Sequence, residues 1–193
     1  MRHGETTWNA ARRFQGFADS PLNETGRQQA RRTAEHLKKA GVEGIVASDL
    51  MRAHDTARIV GDALRLPVTT DRRLREIDVG EWQGKSYEEV MQGAEIAHWQ
   101  EPSFYHEFRF PGGESRAELG QRAVAALRDI AQERAGQHTL VVAHGGTIRM
   151  ALFVLFRVEA IEHVPNTSLT RLRVNEEKWE LIDIAQDAAN LQW

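Results

Sequence analysis

The sequence predicts an α/β fold of three layers: a mostly parallel central sheet with helices on its faces. Two patterns predict it. Short apolar runs of buried-strand type occur at Gly44-Ile45-Val46-Ala47 and Thr139-Leu140-Val141-Val142-Ala143, and amphipathic helical stretches alternate with such runs along the chain. The third observation is length. A chain of 193 residues can bury one substantial core, and no repeat, linker or low-complexity stretch divides it. One domain over residues 1–193 is therefore expected.

The elements follow in order. Residues 7–22 read as a polar loop with Gly and aromatic residues. Thr25-x-x-Gln28 has the form of a capping box, and Ala30, Ala34 and Leu37 recur at helical spacing until Gly41. Ser48 or Asp49 is placed to cap a second helix, with Ala53, Ala57, Val60 and Leu64 on one face. Leu66-Pro67-Val68-Thr69 reads as the next strand. Residues 84–114 break the alternation and are expected to form a lid-like insertion. Ser86-x-x-Glu89 opens a short helix there, and then Trp99, Phe104, Tyr105, Phe108 and Phe110 crowd a stretch with little periodicity. An apolar-lined lid and plain packing account for that stretch equally well. Ser115-x-x-Glu118 caps a long helix carrying Leu119, Ala123, Leu127 and Ile130 on one face. An apolar helix over Thr147–Phe156 follows the 139–143 strand. A hairpin closes the chain, Ser168–Val174 with Trp179–Ile184, turning at Asn175-Glu176-Glu177.

Composition removes several function classes. There is no Cys, which excludes disulfides, thiolate chemistry and Cys-based zinc sites. A net charge of -3 gives no reason to expect nucleic acid or an anionic membrane as partner. No apolar run approaches the ~20 residues of a membrane span, and no signal peptide opens the chain, so a cytoplasmic protein is expected.

Four short stretches carry chemistry. In Arg2-His3-Gly4-Glu5-Thr6, a fixed cation and a nucleophile share one tight turn. Neutral imidazole can attack phosphorus, guanidinium matches phosphate geometry, and Gly4 removes a Cβ that would keep a phosphate off the backbone. Arg52, in Ser48-Asp49-Leu50-Met51-Arg52-Ala53, falls near the first turn of a helix, where free N–H groups favour an anion. His144 ends a buried strand and precedes Gly145-Gly146, which permits close backbone approach. Glu76, in Leu74-Arg75-Glu76-Ile77, is the candidate general acid, because an alkoxide leaving group needs a proton. A structural pairing of Glu76 with Arg72, Arg73 or Arg75 is the alternative, and Asp78 and Glu81 compete for the acid role. No Asp/His cluster with metal spacing is present, so no metal and no cofactor are expected.

These four stretches, with Ala143-His144-Gly145-Gly146 as the last, occur in the order seen in the histidine phosphatase superfamily, which the chain resembles over almost its whole length. That superfamily includes cofactor-dependent phosphoglycerate mutases and many phosphomonoesterases. The resemblance implies a phosphoglycerate mutase-like fold, His3 as nucleophile, His144 as second catalytic His and Glu76 as acid. It further implies that Arg2, Arg52, Asn9 and Gly145 contact the phosphate, and that Gln15 and Gly16 meet the substrate beyond it. In the family a buried strand leads into the Arg-His-Gly turn. Here only Met1 precedes Arg2: either the sequence begins late, or the first strand is severely shortened, and the second case implies a weaker anchor for His3.

Phosphatase is preferred to mutase on three features. Glu76-Ile77-Asp78-Val79-Gly80 lacks the Arg-His-Tyr-Gly that follows the acid in mutases, His144 is followed by Gly-Gly-Thr rather than Gly-Asn-Ser, and segment 84–114 is shorter than the mutase insertion. Phe110-Pro111-Gly112-Gly113-Glu114-Ser115 and Asn166-Thr167-Ser168-Leu169 resemble the α-ribazole phosphatase and broad-specificity group. The expected activity is metal-independent hydrolysis of small phosphomonoesters through a phosphohistidine on His3. Mutase-type transfer and a phospho-ligand-binding protein without turnover are the alternatives. The expected partner is a small phosphorylated metabolite, and a homodimer is left open. His106 and Arg109 are candidates for a second charged group on the substrate.

Overall fold

The computed structural model describes residues 1–93, 106–159, 161 and 163–193. Trp99, Phe104 and Tyr105 of the aromatic stretch, and with them the middle of the expected lid, lie outside the described residues. A first single turn, α1 (Thr7–Ala10), precedes α2 (Glu24–Leu37), β1 (Gly44–Ala47), α3 (Met51–Leu64) and β2 (Val68–Thr70). Then come 3-10 turns at Arg72–Leu74 and Gly80–Trp82 and α4 (Tyr87–Met91). These are followed by α5 (Arg116–Glu133), β3 (Thr139–Val142), α6 (Gly145–Phe156) and the hairpin β4 (Leu169–Asn175) with β5 (Lys178–Gln186).

The three strands of the sheet are parallel in the order β2-β1-β3, with Ile45 opposite Val68 on one side and Leu140 on the other. Alternation of side chains along each strand makes the layers. Ile45, Ala47, Leu140 and Val142 join Ala34 and Leu37 of α2 and Ala53, Ala57 and Val60 of α3 in one core cluster. Val46, Val141 and Ala143 face the other way, onto Ala126 and Ile130 of α5. Burying both faces explains why the strands read as continuous apolar runs.

His3 is held on both sides. Arg2 bridges Ala143 in parallel, the Ala143 N–H donates to Met1 O, and the His3 N–H donates to Ala143 O at 3.0 Å. On the other flank, the Arg2 N–H donates to Ser168 O and the Thr167 N–H to Arg2 O, both at 3.1 Å. Three residues thus occupy a strand position between β3 and the start of β4. The weaker anchor expected from the truncation is therefore offset by pairing on both edges.

Two helix starts differ from expectation. Asn23, not Thr25, caps α2, its side chain accepting from the Gly26 N–H at 2.8 Å. α3 is led by Leu50 without a side-chain cap, because Ser48 and Asp49 are drawn to partners in the site. The boxes at Ser86 and Ser115 form as read.

Candidate active site

The carboxyl ends of the central strands meet here, where ligands of open α/β sheets bind. His3 is 2% exposed, and its Nδ1 lies 2.7 Å from Gly4 O. A carbonyl can only accept, so Nδ1 carries the ring proton and Nε2 keeps its lone pair. Burial first, then Arg52 and Arg2, hold this imidazole well below its usual range. At neutral pH it is uncharged and able to attack.

His144 caps α6 by position and is fully buried, its ring centroid 5.2 Å from that of His3. Its Nε2 is 2.8 Å from Ser48 Oγ, and its Nδ1 is buried without a hydrogen-bond partner. Burial, then Arg52 and His3, depress this imidazole too. The protein's own groups thus hold both imidazoles neutral, and an anion beside His144 would favour its imidazolium.

The Arg52 guanidinium is 1% exposed and donates to Ala18 O and Gly16 O, each at 2.8 Å. Those partners are carbonyls rather than carboxylates, and its Nε has no partner at all. Burial pushes Arg52 down to about 10, with nearby Glu76 and Asp19 working in the opposite sense, so it stays charged at neutral pH. Arg58 and Arg65 are exposed, as a solvated reading of those residues requires. Arg2 donates from one Nη to Val164 O at 2.5 Å, and its Nε is likewise buried without a partner. A desolvated cation without a counter-ion costs several kcal/mol, which a bound anion offsets.

Glu76 lies apart from the Arg residues around it. Its Oε1 accepts from the Ile77 N–H at 2.9 Å and its Oε2 from the Gly146 N–H at 3.1 Å. Arg75 makes a two-pronged bond to Asp49 instead, and Arg73 binds Asp71 and Asp129. Asp78 accepts from the Gly80 N–H within its own turn, and Glu81 is exposed. Gly146 is required here, because a Cβ would stand 2.3 Å from Glu76 Oε1.

Other expectations are redistributed. Gly4 makes room for protein rather than phosphate: a Cβ there would meet Gly26 O at 2.5 Å. Asn9 Oδ1 accepts from the Thr6 N–H at 3.2 Å and from Asn166, leaving its amide N–H groups for the site. Gln15 is bonded by the Thr6 hydroxyl at 3.0 Å, and Gly16, at φ +53, supplies a carbonyl to Arg52. A Cβ added at Gly145 would stand 3.7 Å from Arg2 Nε. Arg109 is spent on Gly113 O and Glu118, which removes it as a contact for a second charge. His106 stacks on Phe153 instead of facing the cradle.

Two residues, Ser48 and Arg122, were missed by sequence reasoning, and a third, Asn166, lies in a stretch that was given no catalytic role. Ser48 orients His144, and Asn166 donates to His3 O at 2.9 Å. Arg122 donates to the carbonyls of Arg73, Arg75 and Glu76 at 2.7–2.8 Å and pairs with Glu114. None of these pairings leaves a local pattern, since the partners lie far apart in sequence. Among the described residues, no group of His, Asp and Glu is arranged to hold a metal ion.

Two buried imidazoles and two arginines gathered at the carboxyl edge of this sheet make an anion-binding arrangement. The family model of the histidine phosphatase superfamily (branch 1) matches residues 1–187, and the chain belongs to that superfamily. It is 38% identical over 199 residues to a probable phosphoglycerate mutase, GpmB, of Yersinia pestis, covering 99% of this chain and 93% of that one. Among solved structures it is similar to YhfR of Bacillus stearothermophilus, with a TM-score of 0.87, 34% identity, and 96% and 94% of the two chains covered. It is equally similar in fold to a mycobacterial glucosyl-3-phosphoglycerate phosphatase complexed with VO3, at a TM-score of 0.85, 32% identity and 96% of each chain covered.

Proposed function

We propose that the protein is a metal-independent phosphomonoesterase acting on small organic phosphate esters through a phosphohistidine on His3. One observation carries this reading. The Nε2 lone pair of His3 shares a buried site with Arg2 Nε, Arg52 Nε and His144 Nδ1, none of which has a protein partner. A phosphoryl group is the ligand whose three peripheral oxygens would satisfy them together.

His3 Nε2 attacks in line and the P–O ester bond breaks. The two guanidiniums, with His144 charged by the incoming anion, hold the equatorial oxygens, the role that metal ions fill in other phosphoryl-transfer sites. Glu76 protonates the leaving oxygen, then takes a proton from the water that cleaves the P–N bond. The short 84–114 segment favours water as the second acceptor. The partner is a small phosphorylated metabolite. No helix among the described residues is long and apolar enough to cross a membrane, and a cytoplasmic setting fits this reading.

The mutase name of the curated relatives favours a second reading, in which the phosphoryl group returns to the substrate. A phosphorus NMR time course separates the two, using 3-phosphoglycerate among other phosphomonoesters without added metal. Growth of inorganic phosphate is the expected result. Interconversion of 3- and 2-phosphoglycerate overturns hydrolysis in favour of the mutase.

A further inference from the structure

The tautomer of His3 depends on one carbonyl, and side chains from two helices govern where that carbonyl points. Gly4 O accepts from His3 Nδ1–H at 2.7 Å, and in a trans peptide the C=O and the following N–H point opposite ways. The Glu5 N–H of that same peptide plane donates to Gln29 Oε1 on α2 at 2.9 Å. The preceding plane is held in the same manner. His3 O accepts from Asn166 Nδ2 at 2.9 Å, and the Gly4 N–H donates to Thr56 Oγ on α3 at 3.0 Å. The Thr56 hydroxyl gives its one proton to Arg52 O at 2.7 Å, so a lone pair is what faces Gly4.

Both side chains are delivered by ordinary helix geometry. Thr56 lies four residues after Arg52, on the same face of α3, and is 0% exposed. Gly4 and Gly26 meet backbone to backbone: a Cβ on Gly26 would stand 2.0 Å from Glu5 O, as one on Gly4 would crowd Gly26 O. That approach brings α2 close enough for Gln29, one turn beyond Gly26, to reach the Glu5 N–H. The consequence falls on the ring. In a free histidine the neutral imidazole carries its proton preferentially on Nε2, which leaves no lone pair on the nitrogen that has to attack. A Gly4 carbonyl turned aside would release His3 to that form.

We infer that Thr56 and Gln29 are positioning residues for the nucleophile: by pinning the peptide planes on either side of Gly4, they keep the ring proton of His3 on Nδ1 and the lone pair on Nε2. The inference rests on the reading of His3 as the attacking group and names what holds it ready. Neither residue touches the space between the two imidazoles and the two arginines, so both act through the backbone. Thr56 also ties the His3 turn to the helix that carries Arg52, which gives ring and guanidinium a common point of reference.

The test reads the tautomer directly. Thr56→Val removes the hydroxyl at nearly equal volume, and Gln29→Leu removes the acceptor from a half-buried position. Nitrogen NMR of the imidazoles at pH 7 is recorded for each, with the His3 signals identified by their loss in His3→Gln. The native ring is expected in the Nδ1–H form, and both variants are expected to move it toward Nε2–H. Thr56→Ser, which keeps the hydroxyl, is expected to restore the native signal. In parallel, kcat for p-nitrophenyl phosphate is expected to fall about tenfold in each removing variant. Vanadate affinity is expected to stay within about twofold, because Arg2, Arg52 and His144 keep their places. A ring that stays Nδ1–H in Thr56→Val overturns the role of Thr56, and in Gln29→Leu the role of Gln29, whatever the rates. A shifted ring supports the inference. If turnover is then unchanged, what fails is His3 as the attacking group and not its positioning. Gln29→Leu, outside the core, keeps the test decisive should Thr56→Val not fold.

Discussion

His3, Arg52 and His144 are fixed by strand pairing and apolar packing, at 2%, 1% and 0% exposure, whereas Glu76 is fixed by a polar clamp on irregular chain. The first group sits where β1 and β3 end, and α3 and α6 begin. The second sits between two 3-10 turns, held by Arg122 on the carbonyls of Arg73, Arg75 and Glu76 and by Arg75 on Asp49. The contrast is physical. Packing can hold a cation in place without supplying it a counter-ion, so the cradle keeps donors in reserve for an anion. A hydrogen-bonded clamp consumes its own donors, and what it positions is a group that only has to gain and lose a proton.

The largest break in that comparison is removal of His3, the proposed nucleophile. His3→Ala is expected to lower kcat by at least about 10⁴-fold while vanadate binding survives in part, since Arg2 and Arg52 remain. Turnover retained in that variant, measured by phosphate release, sinks the assignment of His3.

Loosening the clamp acts on the other half alone. Arg122→Gln removes charge-assisted bonds to the carbonyls of the acid segment, and about tenfold in kcat is expected to go with them. The loss is expected to be greater for alkyl than for p-nitrophenyl esters, because a poor leaving group needs the acid more. Vanadate affinity that falls in step with kcat contradicts the separation of the two halves.

The smallest effect sharpens the comparison through pH. His3 and His144 both have imidazoles depressed by burial, so the unfolded chain binds more protons than the folded one below the ordinary imidazole pKa of about 6.5. Stability from these two residues is full above that value and falls as pH drops below it, by up to about 2.7 kcal/mol per pH unit. Thermal denaturation between pH 7 and 5 is expected to show the decline. Saturating phosphate is expected to flatten it, because the anion favours imidazolium. A stability curve that is flat without phosphate contradicts the neutral pair.

The positions of Arg52 and His144 were legible because each follows an apolar strand run, whereas His3, with only Met1 and Arg2 before it, was read from the Arg-His-Gly stretch and the family resemblance. Val142-Ala143-His144-Gly145-Gly146 shows both the strand and its end. The α2 start was misplaced by two residues, because Asn23 is a stronger cap than Thr25 and lies just outside the box. Ser48 and Asp49 were read as caps for the opposite reason: tertiary partners, His144 and Arg75, outbid the helix end. Gly4 was assigned to the phosphate, although its missing Cβ admits Gly26 from a helix 22 residues away. The clamp was illegible altogether. Arg122 reads as an ordinary helix residue, and nothing local says that it reaches back 46 residues to Glu76 O.

The paired position of Met1–His3 also sets an order of events. Ser168 O, Thr167 N–H and Asn166 all bind the first three residues, so one edge of the nucleophile's segment comes from chain made more than 160 residues later. At typical synthesis rates, roughly 8 to 30 s separate the emergence of the two pieces. During that interval α2, β1 and α3 can collapse together, but the nucleophile waits unstitched at the margin of the growing sheet. The segment that carries His3 is therefore locked in place only after residues 166–168 have been made.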